Sequence, residues 1–407
     1  MFGNARNGIV KIGDTEMHYA AFGTGKKTLV LLPGLSDGLA TVQGKAALLA
    51  RPYRLFFDRY TVYLFSRKEQ MPEGYSIRDM AADQATAMLS LGIERAAVMG
   101  VSEGGMIAQF LAIDHPETVE KLVLAVTAPC ISPMIEANVT RWKGFAQKGE
   151  HKKLMIDTSE NSYSEARLKK MRKLYPLIGL IGRPKTYERF FRNADAILRF
   201  DALPELDKIQ CPTLILAGGQ DKTVGVEASY TLHERIKCST LHVYPELGHA
   251  AFEEAPDFNQ RVYDFLEAPA YGFYGWETAT IRDANGLTPR DYYDRLKKVW
   301  SAETCAPRMR KDWSKENPTL GQCSITAFLM QDIYGGKVLG VPLPEGNYHC
   351  FNAVGDCVFD LTSEQFQGVT LNYTNCPEQF RETHFAKEEK RLRYELLKQR
   401  LFEDKLT

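Results

Sequence analysis

Over the first third of the chain, short apolar runs alternate with helical patterns. The runs at 28–32, 60–65, 96–100 and 122–126 are nearly unbroken stretches of aliphatic and aromatic residues. Such runs predict strands buried on both faces. Between them, 76–91 and 104–115 have helical spacing, with Ser76 as N-cap and Asp79 three residues on completing a weak capping pair. Alternating strands and helices predict a parallel sheet covered on both sides. From about 131 to 207 the strand pattern vanishes, and 133–148, 164–174 and 184–198 read as an all-helical insertion. Strands resume at 213–217 and 240–244, and a helix at 257–266 closes the region.

The texture then changes. A turn-rich stretch containing Tyr271, Phe273, Tyr274 and Trp276 predicts a connector over 270–286. Its aromatics are too many for an exposed linker, so they are expected to pack at a domain interface. Beyond it, 291–300 and 321–334 are helical patterns, and 347–352 and 357–361 are short strands. A charged amphipathic helix at 387–402 carries Leu392, Leu396, Leu397 and Leu401 on one side, the pattern of a helix packing on its own domain. The expected organisation is an α/β domain over 1–269, the connector, and a smaller α+β domain over 287–407.

Composition narrows the function classes. The 407 residues hold 51 Lys+Arg and 51 Asp+Glu, a net charge of zero. Nucleic acid is therefore not an expected partner, because a neutral chain lacks the positive field that binding it needs. No apolar run approaches the ~18 residues of a membrane span, and residues 1–15 contain no signal-peptide core. The eight cysteines are scattered, with no C-x-x-C pair. Neither a disulfide framework nor a metal site is expected, and a cytoplasmic setting is the default.

Chemistry enters at Gly100-Val101-Ser102-Glu103-Gly104, a G-x-S-x-G sequence lying between a strand pattern and a helical one. In that context it predicts a nucleophile elbow, a turn too tight for neighbouring side chains that holds the serine hydroxyl clear of the sheet. A serine needs a histidine base and an orienting acid. Asp221, in Gly218-Gly219-Gln220-Asp221, follows one strand pattern, and His249, in Gly248-His249-Ala250, follows the next. Asp201 and Glu246 are rival acids, and His18, His115, His151, His233 and His242 read as structural or surface residues. Backbone N–H groups of Leu35, after Pro33-Gly34, and of Glu103 are the candidate oxyanion donors, a role that does not use the Glu103 side chain. With these motifs, residues 10–266 resemble the α/β-hydrolase superfamily. The helical insertion falls where that family carries its cap. Pro33 stands where many members have histidine, and Ser102 argues against the branches with a carboxylate nucleophile.

A second constellation follows Asn317-Pro318. Cys323 opens a helical pattern, His349 lies in a strand pattern and Asp360 in the next. A helix N-terminus favours thiolate, so the three residues form a candidate nucleophile, base and orienter. The competing reading is a buried cysteine packing a helix on a small sheet. Cys350 and Cys357 read as core residues. Trp300-Ser301-Ala302-Glu303-Thr304, Asn317 through Cys323, Asp360 through Phe366 and the Arg393-Tyr394 helix resemble the uncharacterised bacterial YunG-like family. The Cys, His, Asp order is more distantly similar to transglutaminase-like and papain-like thiol enzymes, although the His349–Asp360 interval is short for them.

The resemblance implies an α/β-hydrolase fold with a helical cap, followed by a YunG-like α+β domain. The expected activity is carboxylesterase-like: hydrolysis of a small ester, thioester or amide through an acyl-enzyme on Ser102, without cofactor or metal. The expected partner is thus a small-molecule acyl substrate. The alternatives are thiol hydrolysis or amide transfer at Cys323, an acyltransferase, and a binding or sensing protein on a hydrolase fold.

Overall fold

The computed structural model describes residues 4–179, 182–236, 238–268, 272–276, 278–344, 346–366 and 371–403. The chain divides into two compact units, Met1–Ala268 and Pro269–Thr407.

The first unit is built on eight strands: β1 (Arg6–Ile12), β2 (Thr15–Phe22), β3 (Lys27–Leu32), β4 (Tyr60–Lys68), β5 (Ala96–Val101), β6 (Val119–Ala125), β7 (Thr213–Gly218) and β8 (Ser239–Tyr244). Their order is β1-β2-β4-β3-β5-β6-β7-β8. β1 and β2 pair antiparallel, as do β2 and β4, and every later neighbour is parallel. The two faces follow the two-residue strand period. Val30, Leu32, Val98, Leu122, Leu124 and Ile215 enter one core cluster, while Leu29, Leu31, Ala97, Met99, Val123 and Leu216 enter the other. Burial on both faces explains why these strands read as continuous apolar runs.

Helix Ile77–Ser90 covers one face and starts with a reciprocal cap. The Asp79 N–H donates to Ser76 Oγ, and the Ser76 N–H donates to the Asp79 carboxylate. Caps of this kind stabilise a helix by ~1 kcal/mol. Between β6 and β7 lie helices Pro133–Gln147, His151–Ser162, Glu165–Met171 and Glu188–Ile197. His151–Ser162 was not anticipated from the pattern: it buries only His151, Leu154 and Ser159, too few to make an apolar stripe. The β1–β2 hairpin was also unanticipated. On β1 only Val10 and Ile12 are buried, so this edge strand carries a weak signal.

The second unit has a three-stranded antiparallel sheet, β9 (Lys337–Pro342), β10 (Tyr348–Val354) and β11 (Cys357–Phe359), in the order β11-β10-β9. Strand β9, interrupted by Gly340, was not read from the pattern. Helices Pro289–Val299, Cys323–Tyr334 and Glu388–Glu403 accompany the sheet. Phe328, Leu329, Phe359, Cys350, Cys357, Trp300 and Leu397 form the core of this unit. The stretch expected to be a connector joins it: Phe273 and Ala279 are fully buried in that core, and the Tyr274 ring stacks on Tyr373 at 3.7 Å. Its aromatics therefore pack within the second unit. Ala270 and Tyr271 lie outside the described residues.

Candidate active sites

Strand β5 runs directly into helix Glu103–Asp114 through Ser102, whose backbone is held at φ 54° and ψ −120°. A non-glycine residue there is strained and persists only where its surroundings over-determine it. Here the Ser102 N–H donates to the Ala125 carbonyl at 2.9 Å, and Thr127 Oγ1 donates to the Ser102 carbonyl at 2.7 Å. The motif glycines answer to sterics. A Cβ on Gly100 would lie 2.3 Å from the Gly104 carbonyl oxygen, and one on Gly104 would lie 1.9 Å from the Leu32 carbonyl oxygen.

His249 Nε2 lies 2.9 Å from Ser102 Oγ, and His249 Nδ1 lies 2.8 Å from Asp221 Oδ2. The three come from the carboxyl ends of β5, β7 and β8, the edge where α/β sheets assemble their sites. Asp221 and His249 are buried, and Ser102 is half-buried. The other Asp221 oxygen accepts the N–H groups of Thr223 at 2.8 Å and Val224 at 3.0 Å. Burial works to raise the Asp221 pKa. His249 and these two amides outweigh it and hold the carboxyl below its ordinary value. The rival acids lie elsewhere: Glu246 is exposed, and Asp201 accepts the Leu203 N–H.

The loop after β3 abuts Ser102, since a Cβ on Gly34 would lie 3.2 Å from Ser102 Cβ. This brings the Leu35 segment beside Ser102, with Glu103 in the first turn of the following helix. The Glu103 side chain is the surprise. It is fully buried, and its Oε2 accepts from Arg67 Nη2 at 3.0 Å. Asp37, two residues past Leu35, accepts the Arg67 N–H at 2.9 Å and Arg189 Nη2 at 2.9 Å. Arg189 belongs to the helical insertion, so the cluster links the insertion, the loop after β3 and the helix that follows Ser102. Burial pushes the Glu103 carboxyl up to about 7, against the pull of Arg67 and with a further push from Asp37. Sequence reasoning missed the cluster because its members are far apart in the chain, without a shared motif.

In the second unit, Cys323 is the first residue of helix Cys323–Tyr334, His349 lies on β10, and Asp360 follows β11. His349 Nε2 lies 2.5 Å from Asp360 Oδ2, and Gln365 Nε2 lies 3.3 Å from His349 Nδ1. Asp360 also accepts Tyr373 Oη at 2.9 Å and the Thr362 N–H at 2.9 Å. Burial opposes charge on His349, yet Asp360 and Cys323 lift its pKa to about 10. Burial likewise opposes a Cys323 thiolate, but the influence of His349 brings the thiol down to about 7. Cys350 and Cys357 are buried in the core of the unit. Among the described residues, no group of three His, Cys, Asp or Glu side chains could hold a metal ion, and no helix is long and apolar enough to cross a membrane.

Comparison with known proteins bears on both units. Residues 27–256 match the alpha/beta hydrolase fold family model, and residues 288–405 match that of the YunG protein family. Serine hydrolase BPHL of Mus musculus is 29% identical over 275 residues, which cover 63% of this chain and 85% of the relative. A putative carbamate hydrolase RutD of Caulobacter sp. (strain K31) is 26% identical, over 60% of this chain and 92% of the relative. Among solved structures, the enol-lactonase from Burkholderia xenovorans LB400 superposes with a TM-score of 0.54 at 22% identity, covering 64% of this chain and 99% of that one. A deep-sea metagenome enzyme, MGS-M2, gives 0.58 at 20% identity over 65% of this chain and 98% of its own. At these identities the two structures speak for the fold alone, while the curated relatives are named as hydrolases of several kinds. The chain belongs to the α/β-hydrolase fold family and carries a YunG domain after its hydrolase domain.

Proposed function

We propose that the first unit is a serine hydrolase that cleaves a small carboxylic ester, thioester or amide through an acyl-enzyme. The observation that supports this most directly is the continuous hydrogen-bonded chain from Ser102 through His249 to Asp221 at a strained elbow. Ser102 Oγ attacks the substrate carbonyl as His249 Nε2 takes its proton. The N–H groups of Leu35 and Glu103 stabilise the oxyanion. His249 then gives the proton to the leaving group, and water, activated by His249, releases the acid. Asp221 keeps the Nδ1 proton in place and stabilises the imidazolium that forms. The hydrolase names of the curated relatives support this reaction type. They span different bonds, so the acyl group is left as a class.

The test is Ser102→Ala with p-nitrophenyl acetate as substrate and a fluorophosphonate as probe. Turnover should fall by ~10³-fold or more, and labelling should disappear. Undiminished turnover in a folded variant would remove Ser102 as nucleophile.

A further inference from the structure

The second unit holds a nucleophile, a base and an acid that the serine mechanism does not use. Cys323 stands at the start of a twelve-residue helix, where the unpaired N–H groups of the first turn favour negative charge. Cys323 as a residue is of intermediate exposure, whereas His349 and Asp360 are each only 1% exposed. A thiol centre of this kind keeps its base and orienter shielded from water. Asp360 takes Nε2 of His349, and the remaining ring nitrogen, Nδ1, lies 3.3 Å from the Gln365 amide. The helix that Cys323 opens packs on β10, where Asn352 Nδ2 donates to the Ala327 carbonyl at 2.8 Å, so Cys323 and His349 sit on facing elements.

The surroundings hold the nucleophile in place. Gly321 takes the left-handed backbone at φ 68° just before the helix, and its carbonyl accepts Arg393 Nη2 at 2.8 Å. The same buried guanidinium reaches the Thr304 carbonyl through Nε at 2.9 Å. Gln365 bridges the loop to the base: its Oε1 accepts the Gly321 N–H at 3.3 Å, and its Nε2 lies 3.3 Å from His349 Nδ1. A cysteine that merely filled space between helix and sheet would not need an aspartate-held histidine on the facing strand.

We propose that Cys323, His349 and Asp360 form a second, thiol-based acyl-transfer centre, which takes carboxylic acid derivatives, amides included, and hydrolyses them through a thioester. The thiolate attacks the carbonyl carbon, and a C–S bond forms. The tetrahedral intermediate collapses, and the bond to the leaving group breaks as protonated His349 gives that group its proton. Amides come within reach because the proton an amine leaving group needs is already stationed on His349. Water, deprotonated by His349, then attacks the thioester carbon. The C–S bond breaks, the acid departs, and the thiolate–imidazolium pair is restored. Asp360 orients His349 throughout and touches no substrate.

The other cysteines are internal controls. Cys130 and Cys376 are also partly exposed, and burial pushes both thiols up, with Asp201 adding to the effect at Cys130. The experiment uses the full chain carrying Ser102→Ala, so that the serine centre contributes nothing. Iodoacetamide labelling is followed at each cysteine by peptide mass, from pH 5.5 to 9.5. At pH 7 about half of Cys323 would be thiolate, against about one part in a hundred for an ordinary or raised thiol. The lower basicity of its sulfur returns much of that advantage. Cys323 should therefore out-react Cys130 and Cys376 by ~5-fold or more, with a rate profile that bends near 7. In the same protein, p-nitrophenyl acetate should leave an acetyl group on Cys323 that water removes. Asp360→Asn should move the bend upward. If that variant fails to fold, the profile and acetylation of the Ser102→Ala chain decide. A Cys323 profile bending near 8.5–9, or no acetyl on Cys323, would overturn the proposal. Both outcomes are read at Cys323 itself by peptide mass, whereas the Ser102 reading rests on the fall in turnover and the loss of fluorophosphonate labelling when Ser102 is replaced, so the two can fail separately.

Discussion

The two candidate centres place a histidine between a carboxylate and a nucleophile, and they differ in where the difficulty of making that nucleophile is met. A serine hydroxyl holds its proton until the moment of attack, so the first centre relies on geometry. Its strain sits on the nucleophile, with Ser102 at φ 54° and its backbone fastened to Ala125 and Thr127. A thiol gives up its proton far more readily. The second centre leaves Cys323 in ordinary helical backbone and places the left-handed residue at Gly321, φ 68°. The imidazoles are also reversed: Nδ1 meets the acid in the first centre, Nε2 in the second. With the proposed roles, the first is a stereochemical solution to nucleophile activation and the second an electrostatic one.

The harshest way to break this contrast is to crowd the backbone of each centre. Gly104→Ala puts a carbon 1.9 Å from a backbone oxygen of β3, which side-chain motion cannot relieve. Overpacking of this severity costs ~3 kcal/mol or more. Esterase activity should be lost, and the melting temperature should fall. Gly321→Ala meets Cys305 Sγ at 2.7 Å and a left-handed φ. It should disturb Cys323 labelling and leave p-nitrophenyl acetate turnover by Ser102 intact. Wild-type turnover and melting in Gly104→Ala would show that the elbow is not as tight as its geometry.

Next in size is the orienting acid. Asp221→Asn should lower kcat/KM for p-nitrophenyl acetate by ~10⁴-fold, because the amide favours the wrong histidine tautomer. Glu246→Gln, at an exposed position, should stay within about twofold of wild type. The reverse pattern would assign orientation to Glu246.

What was legible in the sequence follows from range. Ser102, Asp221 and His249 each sit in a short local pattern, a strand end followed by a glycine-bearing turn, and their chain order matches a known fold. The parallel strands were visible because burial on both faces makes them uniformly apolar. The edge hairpin β1–β2 and helix His151–Ser162 were not, since each buries too few residues to interrupt a polar stretch. The Arg67–Glu103–Asp37–Arg189 cluster was invisible for a different reason. Glu103 and Arg67 lie 36 positions apart, and Arg189 is 152 from Asp37. Charged residues in surface-like contexts are drawn inside only by tertiary packing.

That cluster yields a smaller, pH-dependent effect. The unfolded chain releases the Glu103 proton near its ordinary value of 4.5, while the folded chain keeps it to about 7. Between those values the native state binds more protons than the unfolded one. Stability from this group is therefore complete below 4.5 and lost as pH rises through 7, by up to ~1.4 kcal/mol per pH unit. Glu103→Gln is uncharged throughout and lacks this slope. Urea midpoints from pH 4.5 to 8 should show wild type losing ground to the variant as pH rises. Parallel curves would mean that Arg67 keeps Glu103 ionised across the range.

The smallest expected effect comes from removing the second centre altogether. The first unit closes on itself without residues beyond 269. Lys121 Nζ donates to the carbonyls of Phe265, Leu266 and Ala268 at 2.9, 3.0 and 2.5 Å, capping the end of helix Phe258–Glu267 from within the same sheet. Val262 and Leu266 on that helix are buried in the core of the first unit. Phe273, whose neighbourhood looked like a candidate interface, is spent in the core of the second unit. A chain of residues 1–269 should therefore fold and keep its p-nitrophenyl acetate kcat/KM within about twofold. The truncated chain should also lack the iodoacetamide reactivity that the full chain shows near pH 7, since Cys323 is gone. Folded but inactive protein would mean that the serine centre depends on the YunG domain, and the contrast between two self-sufficient centres would collapse into one shared site.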